Sequence, residues 1–212
     1  MRIVLMVEGF TEKEKVLRDF LKRWLDPQLP QPIGIQAVRF HGSGDYLDHI
    51  AEKTRLHLES EGTLAVFGLL DLYGLPPQIT GNFPRHADRD TKIELARRQI
   101  MNLIAEPYRP HFRQHFAVHE TEAWLLSDPR IFPPDIASAL SSYDTNHPER
   151  IDFEEPPAQL LNRLWRRNRG RQYKKVTESR NRFPRLDPSL VYDRCPHFRQ
   201  MMDEMLEFAR RA

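Results

Sequence analysis

The sequence predicts an α/β fold with a central, mainly parallel four-stranded sheet, flanking helices and a C-terminal helical extension. Strand-length apolar runs recur along residues 1–128, segments with helical spacing of apolar residues separate them, and prolines become frequent afterwards. Alternating strands and helices are typical of parallel sheets, because neighbouring parallel strands need a crossover connection, usually a helix. We therefore expect an α/β core over 1–128 and an extension over 129–212.

The four predicted strands cover residues 3–7, 33–40, 63–70 and 112–118. The first and third are almost wholly apolar, with the sequences IVLMV and TLAVFGLL. Such continuous apolar runs are expected of strands that are covered on both faces of a parallel sheet.

Helices are predicted in the connections between these strands. Thr11 opens the first helix, and Glu14 follows three residues later in a capping-box pattern. Further helices are predicted over 45–60, over about 90–105 and from Glu120 onward, where apolar residues recur at helical spacing.

The C-terminal extension has a different composition from the core. Six of the 17 prolines fall within residues 129–157, which favours short helices and loops there. Longer helices are predicted over 158–168 and 197–211, and we expect the extension to pack on the core as one globular unit. The inward stripe of the last helix is predicted to consist of Phe198, Met201, Met202, Met205, Leu206 and Ala209.

Composition excludes several classes of protein. No apolar run approaches the roughly 20 residues of a membrane-spanning helix, and no secretory leader is expected, because Met1-Arg2 leads directly into a strand-like run. Cys195 is the only cysteine, which excludes an internal disulfide and a cysteine-based zinc finger and favours a cytoplasmic location. Lys and Arg (32) nearly balance Asp and Glu (30), so total charge identifies no partner.

Acidic residues follow three of the predicted strands. Glu8 ends the first, Asp71 ends the third, and Glu120 with Glu122 follows the fourth, while Glu12 lies four residues after Glu8. The carboxyl ends of parallel strands share one edge of a sheet, so these side chains should converge there. Clustered carboxylates favour a hard cation such as Mg²⁺ or Mn²⁺. Taken singly, each acid is better explained as a polar residue after a buried strand. Glu12, Glu120 and Glu122 also suit a first helical turn, where an acid stabilises the helix dipole.

A strongly basic stretch lies between residues 163 and 185, with Glu178 as its only acid and with Trp165 and Tyr173 interleaved. Such a stretch is suited to binding phosphates and stacking a base, although a solvated helix face followed by a basic loop has the same composition. The residues that we expect to contact nucleic acid are Arg166, Arg167, Arg169, Arg171, Lys174 and Lys175.

Four segments carry a resemblance to a known family: VEGFTEKE at 7–14, LLDLYGLP at 69–76, HETEAWLLSDP at 119–129 and YDRCPHF at 192–198. Together they resemble an uncharacterised bacterial TOPRIM-like family, domain of unknown function 4276, related to the TOPRIM domain of the overcoming-lysogenization-defect (OLD) family nucleases. The resemblance implies a TOPRIM-like fold and a nuclease that uses Mg²⁺ or Mn²⁺. It departs from the TOPRIM pattern at Tyr73, which stands where a second Asp is expected.

The resemblance also assigns roles to individual residues. It implies that Glu8, Glu12, Asp71 and Glu120 are catalytic, and that Glu8, Asp71, Glu120 and Glu122 bind the metal. Glu120 and Glu122 would then restore the charge that is missing at Tyr73.

Partners follow from the same resemblance. Nucleic acid is expected, DNA rather than RNA, together with a separate ABC-type ATPase subunit and a role in anti-phage or abortive-infection defence; the oligomeric state stays open. Two alternatives remain: a non-catalytic subunit that binds nucleic acid or an ATPase, which Tyr73 favours, and a structural or sensor module without metal.

Overall fold

The computed structural model of this protein describes residues 1–8, 11–118, 121–150 and 155–211, without the side chains of 11–14. The predicted capping box of Thr11 and Glu14 and the side chain of Glu12 therefore lie outside the description, as does Glu120.

The sheet has four parallel strands in the order β2-β1-β3-β4. They are β1 (Arg2–Glu8), β2 (Gly34–Phe40), β3 (Thr63–Asp71) and β4 (Phe112–Ala117). This confirms the predicted α/β class and all four strands, and every pairing in this sheet is parallel rather than only most of them. The two longest apolar runs form the central strands β1 and β3, which are covered on both faces.

The described part of the predicted core region contains five helices. They are α1 (Thr11–Leu25), α2 (Ser43–Leu58), α3 (Pro77–Thr80), α4 (Arg89–Leu103) and α5 (Glu122–Leu126). Three-residue 3-10 turns cover Asp26–Gln28 and Leu72–Gly74, and a six-residue one covers Glu106–His111. The predicted helices are confirmed to within about two residues at the ends that the structure describes.

The extension contains α6 (Pro134–Leu140), α7 (Pro157–Arg169), α8 (Lys175–Arg182), α9 (Pro188–Arg194) and α10 (Pro196–Arg210), with 3-10 turns at Pro129–Ile131 and Pro148–Arg150. The predictions for α7 and α10 are confirmed, and the predicted apolar stripe of α10 is buried. Helices α8 and α9 were not predicted. Among the described residues, four of these five helices begin with proline. Proline suits a first helical position because it lacks the N–H that would have no partner within the helix there.

Alternating side chains of the central strands feed two apolar clusters, one on each face of the sheet. Leu5 and Phe67 face a cluster that includes α1, α5 and the extension, whereas Met6 and Val66 face one that includes α2 and α4. Within the described residues no helix is long and apolar enough to span a bilayer.

Glu149, in the turn at 148–150, is hydrogen-bonded to the N-terminus of α10. Its side chain is buried, and its Oε2 accepts a hydrogen bond from the His197 backbone N–H at 3.1 Å. Burial raises the pKa of Glu149 to about 7. Burial also lowers the pKa of the His197 imidazole, to about 4, and the positive charge of Arg89 acts in the same direction.

These two groups have opposite effects on the pH dependence of stability. Unfolded Glu149 releases its proton near its ordinary pKa of 4.5, whereas the folded protein retains it to about 7, so this group lowers the free energy of unfolding as pH rises between those values. His197 raises the free energy of unfolding between its folded pKa of about 4 and its ordinary value of 6.5. In the pH range where both groups titrate, from about 4.5 to 6.5, their opposite effects on the free energy of unfolding largely cancel.

Replacing Glu149 with Gln should remove the pH dependence of stability that comes from Glu149 and leave the one that comes from His197. We expect E149Q to match the parent near pH 4.5 and to be more stable by roughly 2–3 kcal/mol near pH 7.5, because the amide can still accept from His197 without burying a charge. Urea unfolding of both proteins across this pH range measures the difference. The exposed Glu52→Gln variant is the control, and a difference between E149Q and the parent that does not change with pH would contradict the assignment.

Candidate metal centre and nucleic-acid interface

Glu8 and Asp71 meet at the carboxyl edge of the sheet. They end the adjacent strands β1 and β3, where Val7 pairs with Leu69. A Cβ atom built on Gly74 would lie 3.6 Å from the Asp71 Cβ and 3.9 Å from the Glu8 Oε2. Both acids therefore flank the short turn at 72–74 that follows β3.

Lys175 joins Asp71 to Glu122. Its Nζ lies 3.5 Å from the Glu122 Oε2 and 4.0 Å from the Asp71 Oδ2. Lys175 is the first residue of α8, whereas Glu122 begins α5 shortly after β4. The ammonium group thus lies between acids that come from two different strand ends.

Glu122 is completely buried, so its charge needs compensation within the protein. The Ser179 hydroxyl, one helical turn beyond Lys175, donates a hydrogen bond of 3.4 Å to the Glu122 Oε1. Burial raises the pKa of the nearby Tyr173 phenol well above its ordinary value, and the negative charge of Glu122 adds to that effect. Helix α8 therefore holds Glu122 with a cation and a hydroxyl on the same helix face.

The turn at 72–74 is fixed from the other side of the sheet. The Ser43 hydroxyl, at the start of α2, donates a 2.8 Å hydrogen bond to the Gly74 carbonyl oxygen. Tyr73, in the same turn, is 48% exposed. Partial burial raises the pKa of its phenol, and the positive charge of Arg89 partly offsets this shift. Tyr73 is therefore neutral at physiological pH and supplies no charge to the acidic cluster.

A pocket opens beside these acids, and we call it the apolar pocket. Among the described residues, its apolar lining comes from the ends of β1 and β3, from α1, from α8 and from the residue after α8: Val7, Val16, Leu17, Leu69, Val176 and Phe183. The polar residues that the structure describes in this lining are Glu8, Asp71, Thr121, Ser179 and Arg180. The acidic cluster and the apolar pocket thus form one continuous site.

The basic stretch is spread over α7, α8 and their connection. Arg166, Arg167, Arg169, Arg171 and Lys174 are exposed, as a phosphate-binding surface requires. Arg169 lies 3.3 Å from Asp135, and Arg171 lies 3.1 Å from Glu178. Arg166 and Arg167 line a shallow groove along α7. Lys175 differs from these residues, because it lies half-buried among the carboxylates.

The interleaved aromatic residues are buried, so the prediction that they stack nucleic-acid bases is wrong. Trp165 is fully buried and packs edge-on against Tyr173, with ring centroids 5.1 Å apart. Arg182 is also buried: its guanidinium lies 5.1 Å from the centre of the Trp165 ring and 2.8 Å from a Glu178 oxygen. Part of the basic stretch therefore stabilises the interior.

Comparison with known proteins places the chain in a family. A family model described as a domain of unknown function (DUF4276) matches residues 7–206. The chain belongs to the DUF4276 family. No curated protein and no solved structure matches this DUF4276 chain. The predicted family is therefore confirmed, and its relationship to TOPRIM proteins stays a prediction.

The structure of this DUF4276 protein places Glu8 and Asp71 beside the same turn and links Asp71 to Glu122 through Lys175. Glu120 and the side chain of Glu12 lie outside the description. Among the described residues, no three His, Cys, Asp or Glu side chains form a group that could hold a metal ion. A complete centre needs a further ligand, and Glu12 and Glu120 are the predicted ones.

Sequence reasoning missed how Lys175, Thr121 and Ser179 contribute to this site. The sequence predicts that Lys175 contacts nucleic acid and, equally with Lys174, is a candidate to neutralise transition-state charge. It predicts no role for the two hydroxyl residues. Their spacing carries one weak signal: Lys175 and Ser179 are four residues apart and share a helix face once α8 is known.

Proposed function

We propose that this protein is a metal-dependent nuclease that hydrolyses phosphodiester bonds in nucleic acid, with Mg²⁺ or Mn²⁺ as its cofactor. Two placements at the carboxyl edge of the sheet support the proposal: Glu8 and Asp71 lie beside one turn, and Lys175 links Asp71 to Glu122. This edge is where α/β proteins bind their ligands. A neighbouring exposed basic surface supports a polyanionic substrate.

The donor chemistry of the cluster suits a hard divalent cation. Glu8, Asp71 and Glu122 offer only carboxylate oxygens, which Mg²⁺ and Mn²⁺ prefer as ligands. These residues would hold the metal together with Glu120, and Glu12 would complete the centre. The bound ion would polarise the phosphate and lower the pKa of a water molecule.

Side chains of the protein would stabilise charge on the phosphate, position the acids and hold the substrate. Lys175 places a positive charge beside Asp71, where it would neutralise charge that develops on the phosphate. Glu122 is buried and held by Ser179, so it suits a positioning role rather than contact with the substrate. Arg166 and Arg167 would hold the sugar–phosphate backbone away from the reacting bond, because phosphate contacts orient a nucleic acid without reading its sequence.

Cleavage of supercoiled plasmid and of single-stranded RNA tests this function directly. We expect nicking of DNA in Mg²⁺ or Mn²⁺, slower cleavage of RNA and no reaction in EDTA. Failure to cut either substrate with either metal would overturn the proposal.

Replacing Lys175 with Met should strengthen metal binding while weakening cleavage. The ammonium group and a metal ion would share Asp71 and Glu122, so removing the ammonium increases the negative potential at those oxygens. We expect the Kd for Mn²⁺ to fall by about threefold or more and the cleavage rate to fall by about tenfold. Isothermal titration calorimetry and the nicking assay measure the two effects.

Lys174→Met is the matched control for Lys175→Met. Lys174 is adjacent in sequence and exposed, and it forms the N-cap position of α8 rather than contacting the acids. We expect it to leave the Mn²⁺ affinity unchanged and to weaken DNA binding slightly. Equal Mn²⁺ affinity in K175M and the parent would show that the metal does not use these carboxylates.

A second candidate is a non-catalytic subunit that binds nucleic acid or an ATPase. Two observations favour it: Tyr73 is a phenol where a second acid is expected, and Lys175 already supplies positive charge to Asp71 and Glu122. Salt-sensitive DNA binding without cleavage in any metal would select this function. The separate ABC-type ATPase partner and the role in phage defence stay predictions from the family resemblance.

A further inference from the structure

The apolar pocket has no role in the hydrolysis proposed above, although it adjoins the acidic cluster. We infer that it takes one unpaired nucleobase of the substrate strand, so that the protein acts on single-stranded or locally unpaired nucleic acid. This inference rests on the proposed function, because it places the base next to the phosphodiester bond that the acids would address.

The lining of the pocket suits the flat faces of a base. Val16 and Leu17 of α1 and Val176 of α8 supply apolar surface. Phe183, which directly follows α8, and Leu69, near the end of β3, add to it. Leu17, Leu69 and Phe183 are buried, whereas Val16 and Val176 are half-buried. The pocket thus reaches from the surface into the interior between two helices.

The polar lining suits the edge of a base and its attached phosphate. Thr121 and Ser179 carry hydroxyl groups that both donate and accept hydrogen bonds, as the mixed edge of a base requires. Arg180 adds an exposed positive charge, and Glu8 and Asp71 lie on the acidic side. A nucleotide has this distribution of chemistry: an apolar ring face, a polar ring edge and an anion at a fixed distance.

A base inside a duplex cannot enter this pocket. Its faces are covered by stacking and its edge by pairing, so a protein must unpair and unstack the base before burying it. Single strands avoid that cost, and contacts between apolar or aromatic side chains and a base face tolerate any sequence. We therefore expect cleavage of single-stranded DNA to exceed that of a duplex by about tenfold or more.

The first experiment fills the pocket. Val176→Trp places a large side chain in the lining, whereas Thr177→Trp, the next residue of α8, is exposed and absent from the lining. We expect V176W to bind a thymidine oligonucleotide of about 12 nucleotides about tenfold more weakly than the parent, and T177W to bind it like the parent. Binding is measured by fluorescence anisotropy with Ca²⁺ in place of Mg²⁺, and thermal melting establishes that both variants fold.

The second experiment needs no variant. A single abasic site is moved along the same oligonucleotide, and the Kd of the parent protein is measured at each position. A buried base predicts a loss of about tenfold at one position and small losses elsewhere. A mononucleotide is then tested as a competitor of the oligonucleotide. If it competes as strongly as the oligonucleotide itself, the pocket still binds a base, but its ligand is a free nucleotide and not a strand.

The outcomes separate this inference from the proposed nuclease. If the protein cuts duplex and single strand equally and every abasic position behaves alike, the base pocket is wrong and the nuclease remains. If no metal supports cleavage but one abasic position and V176W both weaken binding, the nuclease is wrong and the base pocket remains.

Discussion

Replacing Glu8 with Gln should reduce metal-dependent cleavage of plasmid DNA by about 100-fold or more, which corresponds to roughly 2.7 kcal/mol of transition-state free energy. Gln has nearly the same shape as Glu and still accepts hydrogen bonds, so the change removes charge with little change in volume. Glu8 ends β1, and its Oε2 is shielded from solvent beside the turn at 72–74. Loss of its charge should therefore remove one ligand from the proposed centre. Initial rates of plasmid nicking in Mn²⁺ measure the effect.

The matched control for Glu8→Gln is Glu61→Gln. Glu61 is an exposed carboxylate before β3, at the opposite edge of the sheet, and its replacement should leave the nicking rate unchanged. A contaminating nuclease would give the same rate in all preparations, so only a loss specific to E8Q counts in favour of the site. Nicking by E8Q at the parental rate would remove Glu8 from catalysis and overturn the nuclease assignment.

The sheet and the position of Glu8 and Asp71 were predictable from the sequence. The runs IVLMV and TLAVFGLL are local signals, because a strand covered on both faces needs apolar residues throughout. Parallel pairing then fixes which ends of the strands meet, so acids that are distant in sequence converge without any knowledge of side-chain packing. The identities of β1 and β3 as central strands follow from the same signals.

The contribution of the extension was not predictable in this way. Lys175 reaches Asp71 and Glu122 because α8 packs against α1 and α5, and no local pattern encodes that packing. Trp165 was misassigned for a related reason. Arginines surround it in sequence, but Leu161, Leu164 and Trp165 share the buried face of α7, and one amphipathic helix presents both kinds of residue.

Replacing Gly68 with Ala should destabilise the fold by about 3 kcal/mol or more, because β3 approaches a buried hydrogen bond at this residue. The Tyr46 hydroxyl donates to the Gln114 Oε1 at 2.5 Å, and Tyr46 is completely buried. A Cβ atom on residue 68 would lie 1.9 Å from the Tyr46 hydroxyl oxygen and 2.4 Å from the Gln114 Oε1. Two groups with little free space would have to move. Urea unfolding of G68A and the parent measures the loss.

Gly44→Ala is the control for this prediction, because a Cβ atom there would have no neighbour within 4 Å. It lies in the first turn of α2 and should leave stability unchanged or raise it by up to about 1 kcal/mol. Adding Tyr46→Phe to G68A removes the closest clashing atom, so the double variant should lose less stability than the two single changes combined. Strict additivity would show that the strain lies elsewhere in β3. Gly68 is only three residues before Asp71, so G68A should also lower the rate of metal-dependent cleavage. G44A introduces no clash and serves as the control in the same cleavage assay.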